Sequence, residues 1–198
     1  MNRTEVRVTG YGGQGVVLCA YIIGRATAVN AGQHATMIQS FGPEARGSAC
    51  SATLVLSDDE VLYPYIRRPD IFVAMSAEGY EKYRGELKPK GVLIYEKDLV
   101  DAKLKKGQPS YGVPSTRIAE GLGRTLVQNI VMLGFFSAAT RLVPPEQMRA
   151  AVEASVPAGT EELNLKAFDA GFAHFEESYG AGTSPDVEKD QTQQRPTA

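Results

Sequence analysis

Valine alternates with polar residues in EVRVTG (residues 5–10), and this period of two predicts a half-buried strand that ends at Gly10. The following run, from about Gly15 to Val29, is apolar on nearly every side and predicts a well-buried helix. Further short apolar runs, separated by turn residues, predict strands at 34–40, 49–57, 70–76 and 91–96 and a helix at 77–87. Strands that alternate with helices indicate an α/β sheet.

The second half of the chain has a helical pattern. A long apolar segment (126–143) predicts a helix that Pro144 and Pro145 end, and these prolines open a further helix through VEAS. Residues 160–180 predict a last helix.

These elements predict the organisation of the whole chain. Residues 1–179 are expected to form one α/β domain of the three-layer type, and residues 180–198 a disordered tail without apolar periodicity. The predicted domain has a mixed, mainly parallel sheet, a Rossmann-like glycine loop and a helical C-terminal part.

Composition narrows the class of protein. The 198 residues are 43% hydrophobic and 22% charged, which is typical of a globular protein. A formal net charge of −2 gives no general attraction to nucleic acid or to an anionic membrane surface. Because MNRTEVRV lacks the apolar core of a signal peptide and no apolar run approaches a membrane span, we expect a cytoplasmic protein without membrane insertion.

Cysteine and histidine are scarce. Cys19 and Cys50 both lie in apolar runs and are predicted to be buried thiols. Iron–sulfur clusters usually need four cysteines, and His34 and His174 do not have metal-ligand spacing, so we predict no metal site in this chain.

The segment GYGGQG carries the strongest local signal. Gly10, Gly12 and Gly15 match G-x-G-x-x-G between a predicted strand and a predicted helix, the arrangement that surrounds a phosphate with backbone N–H groups. A dinucleotide site also needs an acidic residue about 20 positions on, but the next carboxylate after Glu5 is Glu44. The pattern therefore favours another phosphate-bearing ligand over NAD, and a purely structural turn remains open.

A second candidate is the loop SFGPEARGSA (residues 40–49). Arg46 is a permanent cation whose planar fork suits phosphate or carboxylate. Glu44 has the chemistry to orient that arginine, and Gly47 lets the chain turn sharply. Both charges are equally consistent with an ordinary solvated loop.

Together, GYGGQG and QSFGPEARGSA resemble the gamma subunits of the 2-oxoacid:ferredoxin oxidoreductases, the family acting on pyruvate, 2-oxoglutarate, ketoisovalerate or phenylglyoxylate. The resemblance continues through LVLSDDEV, YPYIRRPDIFVAMS, NIVMLG and NLKAFDAG, and so covers roughly residues 3–175. One departure lies at Ser48, where many members of the family have a second glycine after Arg-Gly.

The resemblance implies a function that the chain shares with other subunits. Such complexes oxidatively decarboxylate a 2-oxoacid to acyl-CoA and carbon dioxide, and the gamma part helps to bind coenzyme A and to assemble the complex. It implies no catalytic residue, no metal ligand and no cofactor held tightly by this chain alone. The residues implied at the coenzyme A site are Gly10, Gly12, Gly13, Gln14, Gly15, Glu44, Arg46 and Gly47.

Cofactors and partners follow from the same resemblance. Thiamine diphosphate, magnesium and [4Fe-4S] clusters are expected in partner subunits of the alpha, beta and ferredoxin-like delta types. Ferredoxin or an NAD-reducing flavin subunit is the expected electron acceptor. Two alternatives stay open: a purely structural assembly subunit, and a free-standing dinucleotide-binding oxidoreductase.

Overall fold

The computed structural model describes residues 3–40 and 49–180. Six strands and six α-helices account for most of this part. In chain order they are β1 (Arg3–Tyr11), α1 (Val16–Arg25), β2 (His34–Ser40), β3 (Ala49–Ser57), β4 (Ile71–Ala74), α2 (Ala77–Tyr83), β5 (Val92–Glu96), β6 (Ser110–Val113), α3 (Ser115–Gly121), α4 (Gln128–Thr140), α5 (Pro145–Glu153) and α6 (Glu161–Tyr179). A π-helical turn (Ala26–Asn30) extends α1, and a 3₁₀ turn (Thr125–Val127) precedes α4.

The strands form one mixed sheet in the order β2-β3-β1-β4-β5-β6. β1 is antiparallel to β3, and β3 is antiparallel to β2. On its other side β1 is parallel to β4, and β5 and β6 continue the parallel half. The mixed α/β fold predicted from the sequence is thereby confirmed.

Both faces of the sheet are covered. Alternate residues of β4 enter different cores: Ile71 and Val73 belong to the large core with α1, α4, α5 and α6, whereas Phe72 and Ala74 join the small core with Tyr80 of α2. Because a strand with two buried faces needs apolar side chains at every position, β4 appears in the sequence as an unbroken apolar run. These are the three layers that the sequence predicts.

Most predicted elements are confirmed, and β2 and β3 have the predicted bounds. Two elements were missed, β6 and α3. The predicted helix at 77–87 ends early, at Tyr83. Residues 181–198 of the predicted tail lie outside the described residues.

Helix α4 is the centre of the helical layer. Twelve of its thirteen residues are buried, as expected for a helix that is apolar on all sides. Helix α4 packs very closely against α6 at two glycines, one on each helix. A Cβ on Gly134 would overlap the carbonyl oxygen of Phe168, and a Cβ on Gly171 would overlap that of Val131.

We predict that Gly134→Ala destabilises the protein by about 1–3 kcal/mol or more, because the added methyl forces two packed helices apart. Gly121→Ala in α3 is the matched control, since an added Cβ there meets no atom of the described part of the chain within 4 Å. The control is expected to be neutral or stabilising by up to about 1 kcal/mol. Urea unfolding of both variants measures this, and equal stability of Gly134→Ala and wild type would contradict the close helix contact.

Candidate functional site

The glycine loop lies at the carboxyl edge of the parallel half of the sheet. It follows β1, and the main chain of Met75, just after β4, donates to the Thr9 carbonyl at 2.8 Å. The chain leaves β1 through α1 on the face of the large core and leaves β4 through α2 on the face of the small core. Neighbouring parallel strands whose connections go to opposite faces form a crevice at their carboxyl ends, where α/β proteins bind ligands.

The first glycine of the motif belongs to the strand. Gly10 pairs with Cys50 of β3, and a Cβ there would lie 2.6 Å from Gln14 Oε1 and 2.8 Å from Val16 Cγ2. The chain then turns, and the Gln14 N–H donates to the Tyr11 carbonyl at 3.1 Å. Gly10 is thus required by packing within the loop.

The side chain of Gln14 braces the turn. Its Oε1 accepts a hydrogen bond from the Tyr11 N–H at 2.7 Å, and its Nε2 donates to the Met75 carbonyl at 3.2 Å. The amide thereby ties the loop to the end of β4. The contact between Gln14 and a phosphate remains a prediction.

Gly12 and Gly13 form the exposed tip of the loop. Gly13 has a φ of 101°, and among the described residues no atom beyond its two chain neighbours lies within 4 Å of the position where its Cβ would be. A ligand can therefore approach the main chain here without meeting a side chain of the described residues.

Gly15 caps helix α1 in the left-handed conformation, with φ 74° and ψ 23°. A Cβ would overlap the side-chain amide of Asn129, which is buried and donates to the Gly15 carbonyl at 3.5 Å. The first turn of α1 contains no acidic residue, and no side chain of the described residues caps it. Because the first N–H groups of a helix lack intrahelical acceptors, this end of α1 attracts an anion.

The neighbouring helices at this edge are capped differently. Ser76 accepts from the Gly79 N–H at the start of α2. At the start of α3, the buried carboxylate of Glu96 accepts from the Ser115 hydroxyl and, at 3.0 Å, from the Thr116 N–H.

Glu96 is the polar residue at this edge that the sequence analysis missed. Its other carboxylate oxygen accepts from the Asp98 N–H at 3.1 Å, so the carboxylate is satisfied by groups of this chain and serves the fold. No local signal identifies it, because its main partners lie 19 and 20 residues away.

Most of the second candidate loop lies outside the residues that the structure describes. Glu44, Arg46 and Gly47 lie outside the described residues. The residues that flank this loop do lie at the glycine-loop edge: Ala49 pairs with Tyr11, and Ser40 pairs with Ser51. The fold therefore brings both predicted loops to one edge of the sheet.

The two cysteines are buried, as predicted. Burial raises the pKa of the Cys19 thiol to about 12 and also raises the pKa of Cys50. Thiols held neutral in this way are poor nucleophiles.

Within residues 3–40 and 49–180, no group of three or more metal-binding side chains comes together.

A shallow groove of about 400 Å³ lies on the connection between α3 and α4. Glu120, Arg124 and Leu126 line it, together with Gly123 and Thr125. It contains no residue of the glycine loop.

Among the described helices, none has the length and apolarity needed to cross a membrane.

Comparison with known proteins identifies relatives over nearly the whole described chain. Residues 5–174 match the family described as pyruvate ferredoxin/flavodoxin oxidoreductase. The chain is 43% identical, over 173 residues, to the 2-oxoglutarate synthase subunit KorC of Methanocaldococcus jannaschii. That alignment covers 86% of this chain and 92% of KorC.

Solved structures share the fold. The gamma subunit of a keto/oxoacid ferredoxin oxidoreductase from Geobacter sulfurreducens is 34% identical, with a TM-score of 0.78, and the match covers 88% of this chain and 99% of that subunit. The 2-oxoglutarate:ferredoxin oxidoreductase from Magnetococcus marinus, with 2-oxoglutarate, coenzyme A and succinyl-CoA bound, matches with a TM-score of 0.82 at 22% identity. That match covers 93% of this chain and 32% of the Magnetococcus chain, and it shows the fold alone.

We predict that Gly15→Ala destabilises the protein and that much of the loss comes from overlap with Asn129. In an Asn129→Ala background the overlapping amide is gone, so the same substitution should cost less, leaving mainly the strain of a left-handed alanine, about 1–2 kcal/mol. A double-mutant cycle of unfolding free energies measures the difference, which is expected within about 0.5–3 kcal/mol. Strict additivity of the two substitutions would contradict the contact.

Proposed function

We propose that this chain, which belongs to the pyruvate ferredoxin/flavodoxin oxidoreductase family, holds a phosphate group of coenzyme A with its glycine loop. The chain is the gamma subunit of a multi-subunit 2-oxoacid:ferredoxin oxidoreductase. In this proposal its part in the reaction is to bind and orient coenzyme A. The uncapped start of α1 beside the exposed tip of the loop is the observation that carries the proposal.

Each part of the loop supports phosphate binding. Gly15 caps the start of α1, and the partial positive charge of the first N–H groups of this helix favours an anion. Gly12 and Gly13 let the phosphate approach the main chain. Gln14 holds the turn in shape through its hydrogen bonds to main-chain atoms. The chain thus positions the phosphate with backbone groups.

The second loop supplies the charge in this proposal. Arg46 pairs with the phosphate, Glu44 orients Arg46, and Gly47 lets that main chain come close. The support is that the loop begins after Ser40 and ends before Ala49, at the edge where the glycine loop lies. A guanidinium binds phosphate through two parallel hydrogen bonds, which adds direction to the attraction.

We propose 2-oxoglutarate as the oxoacid and succinyl-CoA as the product. The supporting fact is that four relatives named 2-oxoglutarate synthase subunit KorC are 34–43% identical to this chain. Two relatives named pyruvate synthase subunit PorC are 28% and 32% identical.

The remaining chemistry belongs to partner subunits in this proposal. Thiamine diphosphate with magnesium supplies the decarboxylation, and [4Fe-4S] clusters pass two electrons to ferredoxin or to an NAD-reducing flavin subunit. The acyl group is released to the thiol of the coenzyme A that this chain helps to hold. Alpha, beta and delta-type subunits are the proposed partners, and the cytoplasm is the proposed location.

The fold argues against the dinucleotide alternative. In a dinucleotide-binding domain, the strand next to β1 carries an acidic residue that binds the ribose. Here antiparallel β3 separates β1 from β2, so the end of β2 lies about 10 Å from β1, two strand spacings away. That end carries Gln39 and Ser40, which are not acidic.

We predict that Arg46→Ala raises the KM for coenzyme A of the purified complex about 10- to 100-fold, because it removes a charge-assisted hydrogen bond worth roughly 1.5–3 kcal/mol. The KM for the oxoacid should change little. Arg67→Ala is the control, since Arg67 is exposed in the connection before β4, which begins at the opposite edge of the sheet. Steady-state kinetics measures both, and an unchanged KM for coenzyme A would refute the role of Arg46.

We predict a larger loss for Gly12→Val than for Arg46→Ala, because a branched side chain enters the space that the phosphate needs. Titration of the isolated chain and of the complex with coenzyme A measures binding directly, and size-exclusion chromatography measures assembly. Normal affinity together with failed assembly would favour the purely structural alternative. Weak affinity in a normally assembled complex supports the proposed site.

A further inference from the structure

Asn129 lies between the beginnings of two helices, α1 and α4. It is the second residue of α4, it is buried, and its Nδ2 donates to the carbonyl of Gly15, the residue before α1, at 3.5 Å. The same carbonyl accepts the first main-chain hydrogen bond of α1, from the Cys19 N–H at 2.9 Å. A side chain of α4 and the main chain of α1 therefore hold one carbonyl group together.

The contact between Asn129 and Gly15 is close as well as polar. A hydrogen bond of 3.5 Å is long and contributes little by itself. The side chain of Asn129 also fills the space beside the Gly15 Cα, because its Cγ and Cβ lie 2.7 Å and 3.1 Å from the position of an added Cβ. Glycine leaves a left-handed conformation easily, since no side chain of its own restricts its backbone. The packing of Asn129 limits that freedom at Gly15.

The orientation of the Gly15 carbonyl determines the orientation of the next N–H group. The two groups belong to one planar trans peptide unit, in which they point in opposite directions. Val16 is the first residue of α1, and its N–H is among those that lack an acceptor within the helix. A side chain that fixes the Gly15 carbonyl thereby fixes the first N–H group of α1.

The first turn of α4 is itself anchored, and this gives Asn129 a fixed position. Gln128, the residue before it, accepts a hydrogen bond from the Thr116 hydroxyl at 2.9 Å. The Thr116 N–H donates to the buried carboxylate of Glu96, at the end of β5. On the other side of Asn129, Ile130 is buried in the large core. A side chain on such a rigid element holds its partner more precisely than one on a loop.

We propose that Asn129 is a positioning residue of the proposed coenzyme A site: it holds Gly15 in the left-handed conformation and so fixes the start of α1 where the phosphate binds. The inference rests on the proposed function, since it concerns the same loop. Asn129 acts through Gly15 and needs no contact with the ligand. Its contribution is pre-organisation, because a loop already held in its bound conformation loses less conformational freedom on binding.

Hydrogen exchange of the ligand-free chain tests this role without a measurement of activity. Asn129→Ala should speed exchange of the Cys19 amide roughly 2- to 10-fold, the loss expected for one hydrogen bond. Amides of the buried central strand β4 report opening of the whole domain and give the reference. Asn164→Ala is the matched control, because Asn164 is also buried and its amide also bonds the carbonyl of a residue that precedes a helix, Thr160 before α6. The control should leave the exchange of Cys19 unchanged relative to β4.

Asn129→Asp is a second variant that keeps the size of the side chain but replaces its N–H donor with a carboxylate oxygen. In the purified complex, Asn129→Ala should raise the KM for coenzyme A roughly 2- to 10-fold. Asn129→Asp should raise it further, because it puts a negative charge beside the anion at the start of α1. The KM for the oxoacid, and kcat at saturating coenzyme A, should stay unchanged in both variants. Asn164→Ala should have a normal KM for coenzyme A.

The outcomes separate this inference from the proposed function. A raised KM for coenzyme A with unchanged exchange of Cys19 would overturn the inference, since Asn129 would then act on the ligand directly. A normal KM in both Asn129 variants, while Arg46→Ala and Gly12→Val raise it, would overturn the inference and leave the proposed function intact. A normal KM in all four variants would refute the proposed function, and this inference with it.

Discussion

The hydrogen bonding of β1 on both of its sides is the constraint on which the rest of the structure depends. β1 bonds to antiparallel β3 on one side and to parallel β4 on the other. Because the parallel pair sends its connections to opposite faces, a crevice opens where both strands end. The antiparallel neighbour brings the start of β3, and with it the end of the second loop, to that same edge.

The conformation of the glycine loop in this crevice depends on close packing around its glycines as well as on their backbone freedom. Gly10 leaves room for the side chain of Gln14, and Gly15 leaves room for the amide of Asn129. Only Gly12 and Gly13 lie at the exposed tip. A single motif thus contains two kinds of glycine: those that let the loop pack on β4 and α4, and those that leave space for a ligand.

Local sequence patterns predict many of the strands and helices correctly, but they do not predict β6 and α3. β2 and β3 were predicted with their observed bounds, because each is an apolar run bounded by turn residues. β6 was missed because its four residues, SYGV, contain no apolar run, and it gains its position from pairing with β5. α3 was missed because its N-terminal cap is a carboxylate from β5, remote in sequence.

The amino-acid sequence by itself determined the order of most strands and helices, the glycine loop and the family, since these depend on neighbouring residues and short motifs. Only the tertiary structure decided that β3 lies between β1 and β2, which removes the ribose-binding position of a dinucleotide domain. It also decided that the Tyr179 hydroxyl binds main-chain groups of the β6 edge, whereas no further strand of residues 3–40 and 49–180 pairs with β2. Strand order and edge protection arise from pairing between segments distant along the chain, and the energy of such pairing leaves no local pattern in either segment.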